Sequence, residues 1–163
     1  TFAFVHIMVP HPPFLFEADG GARPPVSPYR LRDGNEFRGS SLDYVNGYAA
    51  QVAYVNAAVL QLVDRLQRES STPPVVILQG DHGPGAGLDW RSPTAEGLSE
   101  RFRILNAIRL PGAAPELLYP AMSPVNTFRV ILNQYFGTSL GLLPDRSYFS
   151  TTSQPLEFQP VQP

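Results

Sequence analysis

The segment Gln79-Gly80-Asp81-His82-Gly83 places a carboxylate next to an imidazole, with glycines on both sides. The two side chains can reach one cation, and oxygen plus imidazole ligands suit zinc or manganese. The glycines let the backbone come close to an ion and its substrate. The plainer alternative is a turn in which Asp81 and His82 make Asx-type backbone bonds. The second candidate is His11, in the run Val9-Pro10-His11-Pro12-Pro13-Phe14. Prolines on both sides restrict the backbone and hold the imidazole. A histidine so held can protonate a leaving group or bind an anionic oxygen. Here the alternative is a surface histidine in a proline turn.

Other residues carry less. His6 sits within an apolar run and reads as a hydrogen-bonded core histidine. Arg23, Arg30, Arg32 and Arg38 can gather an anionic group in a long loop, although a solvated loop face accounts for them better. Tyr44, Tyr48 and Tyr54 fall where a helix is expected and read as core packing. An N-terminal threonine such as Thr1 can act as a nucleophile through its own amine. The commoner explanation is that a fragment begins there, which the abrupt strand-like opening also suggests.

The elements that must position these residues follow from the apolar pattern. Residues 2–9 are apolar except for His6 and stop at Pro10, which predicts a strand buried on both faces. A long Pro, Gly and Arg loop covers 10–41. Apolar residues at Val45, Tyr48, Val52, Val55, Val59, Leu62, Val63 and Leu66 step by three and four, which predicts a helix over 42–67 with Ser41 as N-cap. A second buried strand is expected at 75–79, and the strand-helix-strand order suggests a βαβ unit with a parallel sheet. Asp81, His82 and His11 would then cluster beyond the carboxyl ends of two strands, where ligands of open α/β sheets bind. Residues 83–99 read as a loop and 103–110 as a third strand. Ser123-Pro124 opens a helix that Gly137 closes at 136. Residues 151–163 read as an extended or disordered tail beyond a domain spanning 1–150.

Composition narrows the classes. The chain has 163 residues, which suits one domain, and a formal net charge of -2. All of its basic residues are arginines, and no basic stripe favours nucleic acid. Pro and Gly are 31 of the 163 residues, about 19% and below the roughly 25–30% of low-complexity sequence. Without cysteine there is neither a disulfide nor a thiolate zinc site. No apolar run reaches the roughly 20 residues of a membrane span, and the opening run lacks the basic flank of a signal peptide.

Five stretches, in order, are similar to the C-terminal half of the catalytic domain in the sulfatase and alkaline-phosphatase superfamily. They are FVHIMVPHPPFLF at 4–16, YAAQVAYVNAAVLQLVDRL at 48–66, VVILQGDHGPG at 75–85, ERFRILNAIRLPG at 100–112 and SPVNTFRVILNQYFGTSLGLLPDRSYFS at 123–150. The likeness is nearest to bacterial membrane-anchored sulfatase-like hydrolase/transferases of the lipoteichoic acid synthase kind. It implies an α/β fold, the three-layer alkaline-phosphatase-like sheet, with only its C-terminal portion in this chain. It also implies a divalent metal (manganese, zinc, calcium or magnesium) held by Asp81 and His82, and an active-site role for His11 near the transferred or leaving group. The substrate class implied is a phosphate or sulfate ester. The family's nucleophile, its other metal-binding carboxylates and its membrane helices belong to upstream sequence, with this domain outside the cytoplasm. On that basis the parent is an enzyme, and the 163-residue chain alone is expected to be inactive. The competing class is a noncatalytic α/β module that binds an anion, a metal or a partner. A phosphoglycerol-type transferase acting on cell-envelope lipid or glycan is a narrower variant of the enzyme reading. Unpaired sheet edges carry the further expectation of self-association.

Overall fold

In the computed structural model the described residues are 1–26 and 32–161. Among them three α-helices and four strands form, besides two short 3-10 turns: α1 (Ser41–Glu69), β1 (Val76–Gln79), α2 (Ala95–Phe102), β2 (Asn106–Arg109), α3 (Pro124–Phe136), β3 (Ser147–Thr151) and β4 (Gln154–Val161). This mixture is the α/β class expected, but the pairing differs from a βαβ unit. β1 and β2 are antiparallel, with Ile77 opposite Ile108 and Gln79 opposite Asn106. β3 and β4 form a second antiparallel pair.

Residues 2–9 are not a strand. No described strand lies beside them, so their backbone has no ladder and both faces stay open: Phe2 is 77% and Phe4 81% exposed. His6 is therefore exposed rather than a core histidine. An apolar run defines a buried strand only where a neighbour supplies the hydrogen bonds.

α1 starts one residue earlier than its pattern predicted. Ser40 is the N-cap and forms a reciprocal capping box with Asp43, so Ser41 is the first helical residue. Its buried positions are Tyr44, Gly47 and Gln51, spaced by three and four but offset from the predicted apolar stripe. Val45, Leu62 and Leu66 from that stripe are exposed. α2 occupies part of the predicted 83–99 loop, with the Thr94 hydroxyl accepting from the Gly97 amide as its N-cap.

α3 has the predicted bounds, and Gly137 ends it at φ 67° in the left-handed region. Its start is held from outside the helix. The Ser123 hydroxyl does not cap; it donates to Asp145 Oδ1 at 2.7 Å, as does the Ser123 amide. Tyr119 OH donates to Asp145 Oδ2 at 2.7 Å, and the fully buried Asn126 donates to Asp145 Oδ1 at 3.0 Å. Asn126, Arg129 and Asn133, on one face of α3, also bond the backbone of Leu143, Gly141 and Leu140. The stretch after the helix is thereby tied back along it. The segment expected as an extended or disordered tail carries β4, which pairs with β3.

The donors around Asp145, led by the Tyr119 hydroxyl, pull its carboxyl down to about 2. A carboxylate depressed on folding stabilises the native state above its ordinary titration range, and that contribution disappears as pH falls from about 4 toward the folded value. Asp145→Asn is expected to flatten this part of the acid-unfolding profile. If denaturant midpoints between about pH 5 and pH 2 fall equally in both proteins, Asp145 has no such role.

Candidate functional site

The loop after β1 and the proline run around His11 meet. The His11 and His82 rings lie 6.1 Å apart between centroids, in an edge-to-face arrangement. The Nδ1 of His11 is 2.6 Å from the Pro12 carbonyl oxygen, and the Nδ1 of His82 is 3.0 Å from that of Gly83. A carbonyl oxygen only accepts, so in both rings Nδ1 carries a hydrogen, and the neutral form of each ring has its lone pair at Nε2. This is the arrangement in which a backbone carbonyl orients a metal-binding or proton-transferring imidazole. Asp81 Oδ2 is 3.7 Å from His82 Nε2. Its other oxygen accepts from the His82 amide at 3.0 Å, an Asx-type bond. The turn reading and the ligand reading therefore describe the same residues, because one carboxylate oxygen shapes the turn and the other stays free.

The donor set fits a divalent ion. Two ligand atoms about 2.0–2.2 Å from a common centre stand about 3–3.6 Å apart, close to the separation of Asp81 Oδ2 and His82 Nε2. Asp81 is 83% exposed and His82 32%, so both are open to an incoming ion. Among the described residues no group of three or more His, Asp and Glu side chains gathers around them.

A strand does not seat His11; α1 does. Phe14 is buried against α1 and packs edge-to-face on Tyr44 at 5.2 Å. It lies over Gly47, where a Cβ would come 2.3 Å from the Phe14 ring. Glycine inside a helix is unfavourable by roughly 1 kcal/mol against alanine, and here it opens the space that Phe14 fills. Gln51, 1% exposed, accepts from the Leu15 amide at 2.7 Å and donates to the His11 carbonyl at 3.5 Å.

Beneath the site is a polar network that sequence reasoning did not find. Asp33 is 5% exposed and pairs with Arg101, itself 11% exposed, at 2.5 Å. The Tyr44 hydroxyl donates to Asp33 Oδ1 at 2.7 Å and accepts from the Gly85 amide at 2.8 Å. Arg101 lies over the Trp90 ring, whose Nε1 donates to the Asp33 carbonyl at 3.1 Å. Burial pushes the Asp33 carboxyl up, but the Tyr44 hydroxyl, the Gly34 amide and the Arg101 guanidinium outweigh it and leave it below the usual range. Burial and the Asp33 charge push the Tyr44 phenol well above its usual value. Tyr44 is 3% exposed, as core packing predicts, and a buried tyrosine hydroxyl needs a partner.

Two of the loop arginines are taken up by neighbouring carboxylates. Arg23 pairs with Glu17 at 3.2 Å and Arg32 with Glu36 at 3.9 Å, while Arg30 lies outside the described residues. Among the described residues no helix is long and apolar enough to cross a membrane.

Neither the curated proteins nor the solved structures yield a match to this chain. The Sulfatase family model does match, over residues 1–133, a span that includes the His11 run, α1, the Asp81-His82 loop and most of α3. The chain belongs to the sulfatase family.

Proposed function

We propose that this chain carries the metal-binding and leaving-group side of a site that cleaves or transfers a phosphate or sulfate ester. The observation that supports it is the pair of imidazoles, His11 and His82, each with Nδ1–H tied to a backbone carbonyl and Nε2 free, beside the open Asp81 carboxylate. Asp81 and His82 would hold the divalent metal. When bound, that metal supplies positive charge against the nonbridging oxygens of the ester. His11 has a different task. Its Nδ1–H is committed to Pro12, so a proton taken up at Nε2 can pass to the departing oxygen, while Gln51 and the Phe14 anchor keep the ring in place. A noncatalytic metal-binding module would share Asp81 and His82 but gives no reason for holding His11 beside them. Transfer to an alcohol of a cell-envelope lipid or glycan, as in the lipoteichoic acid synthase type, is the narrower form of the same reading.

The test is a zinc titration followed by imidazole 15N shifts, since the chain has three histidines. The His82 Nε2 resonance is expected to move strongly and that of His6 to stay, with Asp81→Ala/His82→Ala removing the response. Binding competes with protonation of the imidazole and so weakens as pH falls. A His82 signal that ignores zinc, or a response that survives the double substitution, would overturn the metal assignment.

A further inference from the structure

We propose that Arg101 and Tyr44 are positioning residues for the Asp81-His82 loop, holding its backbone at two points so that His82 keeps Nε2 outward. This rests on the metal reading above. The Gly83 carbonyl that accepts from His82 Nδ1 also accepts from Arg101 Nη1 at 3.0 Å. The Gly83 amide in turn donates to the Arg101 carbonyl at 2.6 Å. Two residues on, the Gly85 amide donates to the Tyr44 hydroxyl at 2.8 Å. Both holding groups are themselves fixed by the two oxygens of one buried carboxylate: Asp33 Oδ1 takes Tyr44 and Oδ2 takes Arg101. Asp33 thus anchors a clamp with one arm on Gly83 and the other on Gly85.

The charges explain the choice of residues. A lone guanidinium this near a cation site would repel the ion. The Arg101 charge is neutralised by Asp33 at 2.5 Å and is largely shielded from solvent. What remains is one planar guanidinium nitrogen, Nη1, whose two N–H donors serve the Asp33 carboxylate and the Gly83 carbonyl together. A lysine ammonium can keep the ion pair but has no comparable fixed geometry. Arg101 is also committed away from solvent by its stacking on Trp90, so its place is behind the loop and not against substrate. Partners of this kind, one shell behind a metal ligand, typically change metal affinity by about 10–100-fold when altered.

The test uses the whole chain with Arg101→Lys and Tyr44→Phe. The first substitution introduces the chain's only lysine, so its ammonium is a unique 15N probe of whether the pair with Asp33 survives. Each variant is expected to bind zinc about 10-fold more weakly than wild type. Each should also lose, before any zinc is added, the single Nδ1–H tautomer signature of His82, while that of His11 stays. Amide exchange at Gly83 and Gly85 should accelerate. A merely structural role would lower the unfolding midpoint and leave the His82 tautomer unchanged. Variants that fold, keep that signature and bind zinc as wild type does would overturn the proposal. If wild-type His82 ignores zinc, the metal reading falls, and the tautomer and exchange measurements still decide the positioning claim by themselves. Where a variant melts below the working temperature, the other carries the same readout.

Discussion

Asp33→Ala is expected to destabilise the chain by about 3–5 kcal/mol, the usual loss when one partner of a buried ion pair is removed. On a chain of this size that lowers the melting temperature by on the order of 10 °C. Deleting the carboxylate would leave Arg101, only 11% exposed, with an unpaired charge. It would also leave the Tyr44 hydroxyl, at 3% residue exposure, without its acceptor. The loss comes mostly from these stranded groups, because the intact pair itself repays little more than its desolvation. Asp33→Asn should recover part of it, since an amide oxygen still accepts from Tyr44. The pH dependence has a definite sign. The Asp33 carboxyl lies below its usual range in the folded state, so its stabilisation is present above that range and is lost as pH falls through the lowered value. A calorimetric or urea measurement giving less than about 1 kcal/mol for Asp33→Ala would show that Arg101 finds another partner at little cost.

Asp33 was invisible in the sequence for a physical reason. It is one of four acidic residues in the 10–41 loop, and its partners Tyr44 and Arg101 are 11 and 68 residues away. No local pattern encodes such a pairing. The helices were legible where chain chemistry is local. α3 declares itself through Pro124 at its first turn and Gly137 at its end, and both do what their types favour. α2 was missed because Pro and Gly on either side suggested a loop, although Thr94 is a capping residue before Ala95 and Glu96. β4 was missed because Pro155 and Pro160 argue against a central strand; they are tolerated in a two-stranded pair, where every strand is an edge.

The segment 2–9 has a different lesson. Its composition suits a buried strand, but burial belongs to a strand together with its neighbours, and none of the described strands flanks it. The expected parallel sheet would have delivered His11 to the Asp81 loop. In the structure His11 stands near His82 because Phe14 drops into the space over Gly47 and Gln51 bonds the backbone on both sides of it. Neither Gly47 nor Gln51 belongs to the apolar stripe that defines α1 in the sequence. Here a glycine and a glutamine four residues apart on the buried face of α1 receive the backbone and ring of the segment packed against it.

Gly83→Ala is expected to disrupt the site more than any other single methyl addition near it. A Cβ at Gly83 would meet the Glu100 carbonyl at 2.2 Å and the Arg103 carbonyl at 2.7 Å. These are main-chain atoms at the end of α2 and cannot rotate aside as a side chain can. Either the loop lifts from α2 or the last turn of α2 unwinds. In both cases the bond from the Gly83 amide to the Arg101 carbonyl and the bond from Arg101 to the Gly83 carbonyl are strained together. Overpacking of this kind costs about 1–3 kcal/mol, more where nothing can yield. The contrasting site is Gly141, which has open space around it and no positive φ. Gly141→Ala is expected to be neutral, or stabilising by about 0.4–1 kcal/mol through the unfolded chain. Gly83→Ala should also lose zinc binding at His82 under conditions where it remains folded, because the carbonyl that orients His82 Nδ1 moves with the loop. Equal unfolding midpoints for the two variants, or an unchanged zinc response in Gly83→Ala, would mean that the contact with α2 yields freely and does not set the position of His82.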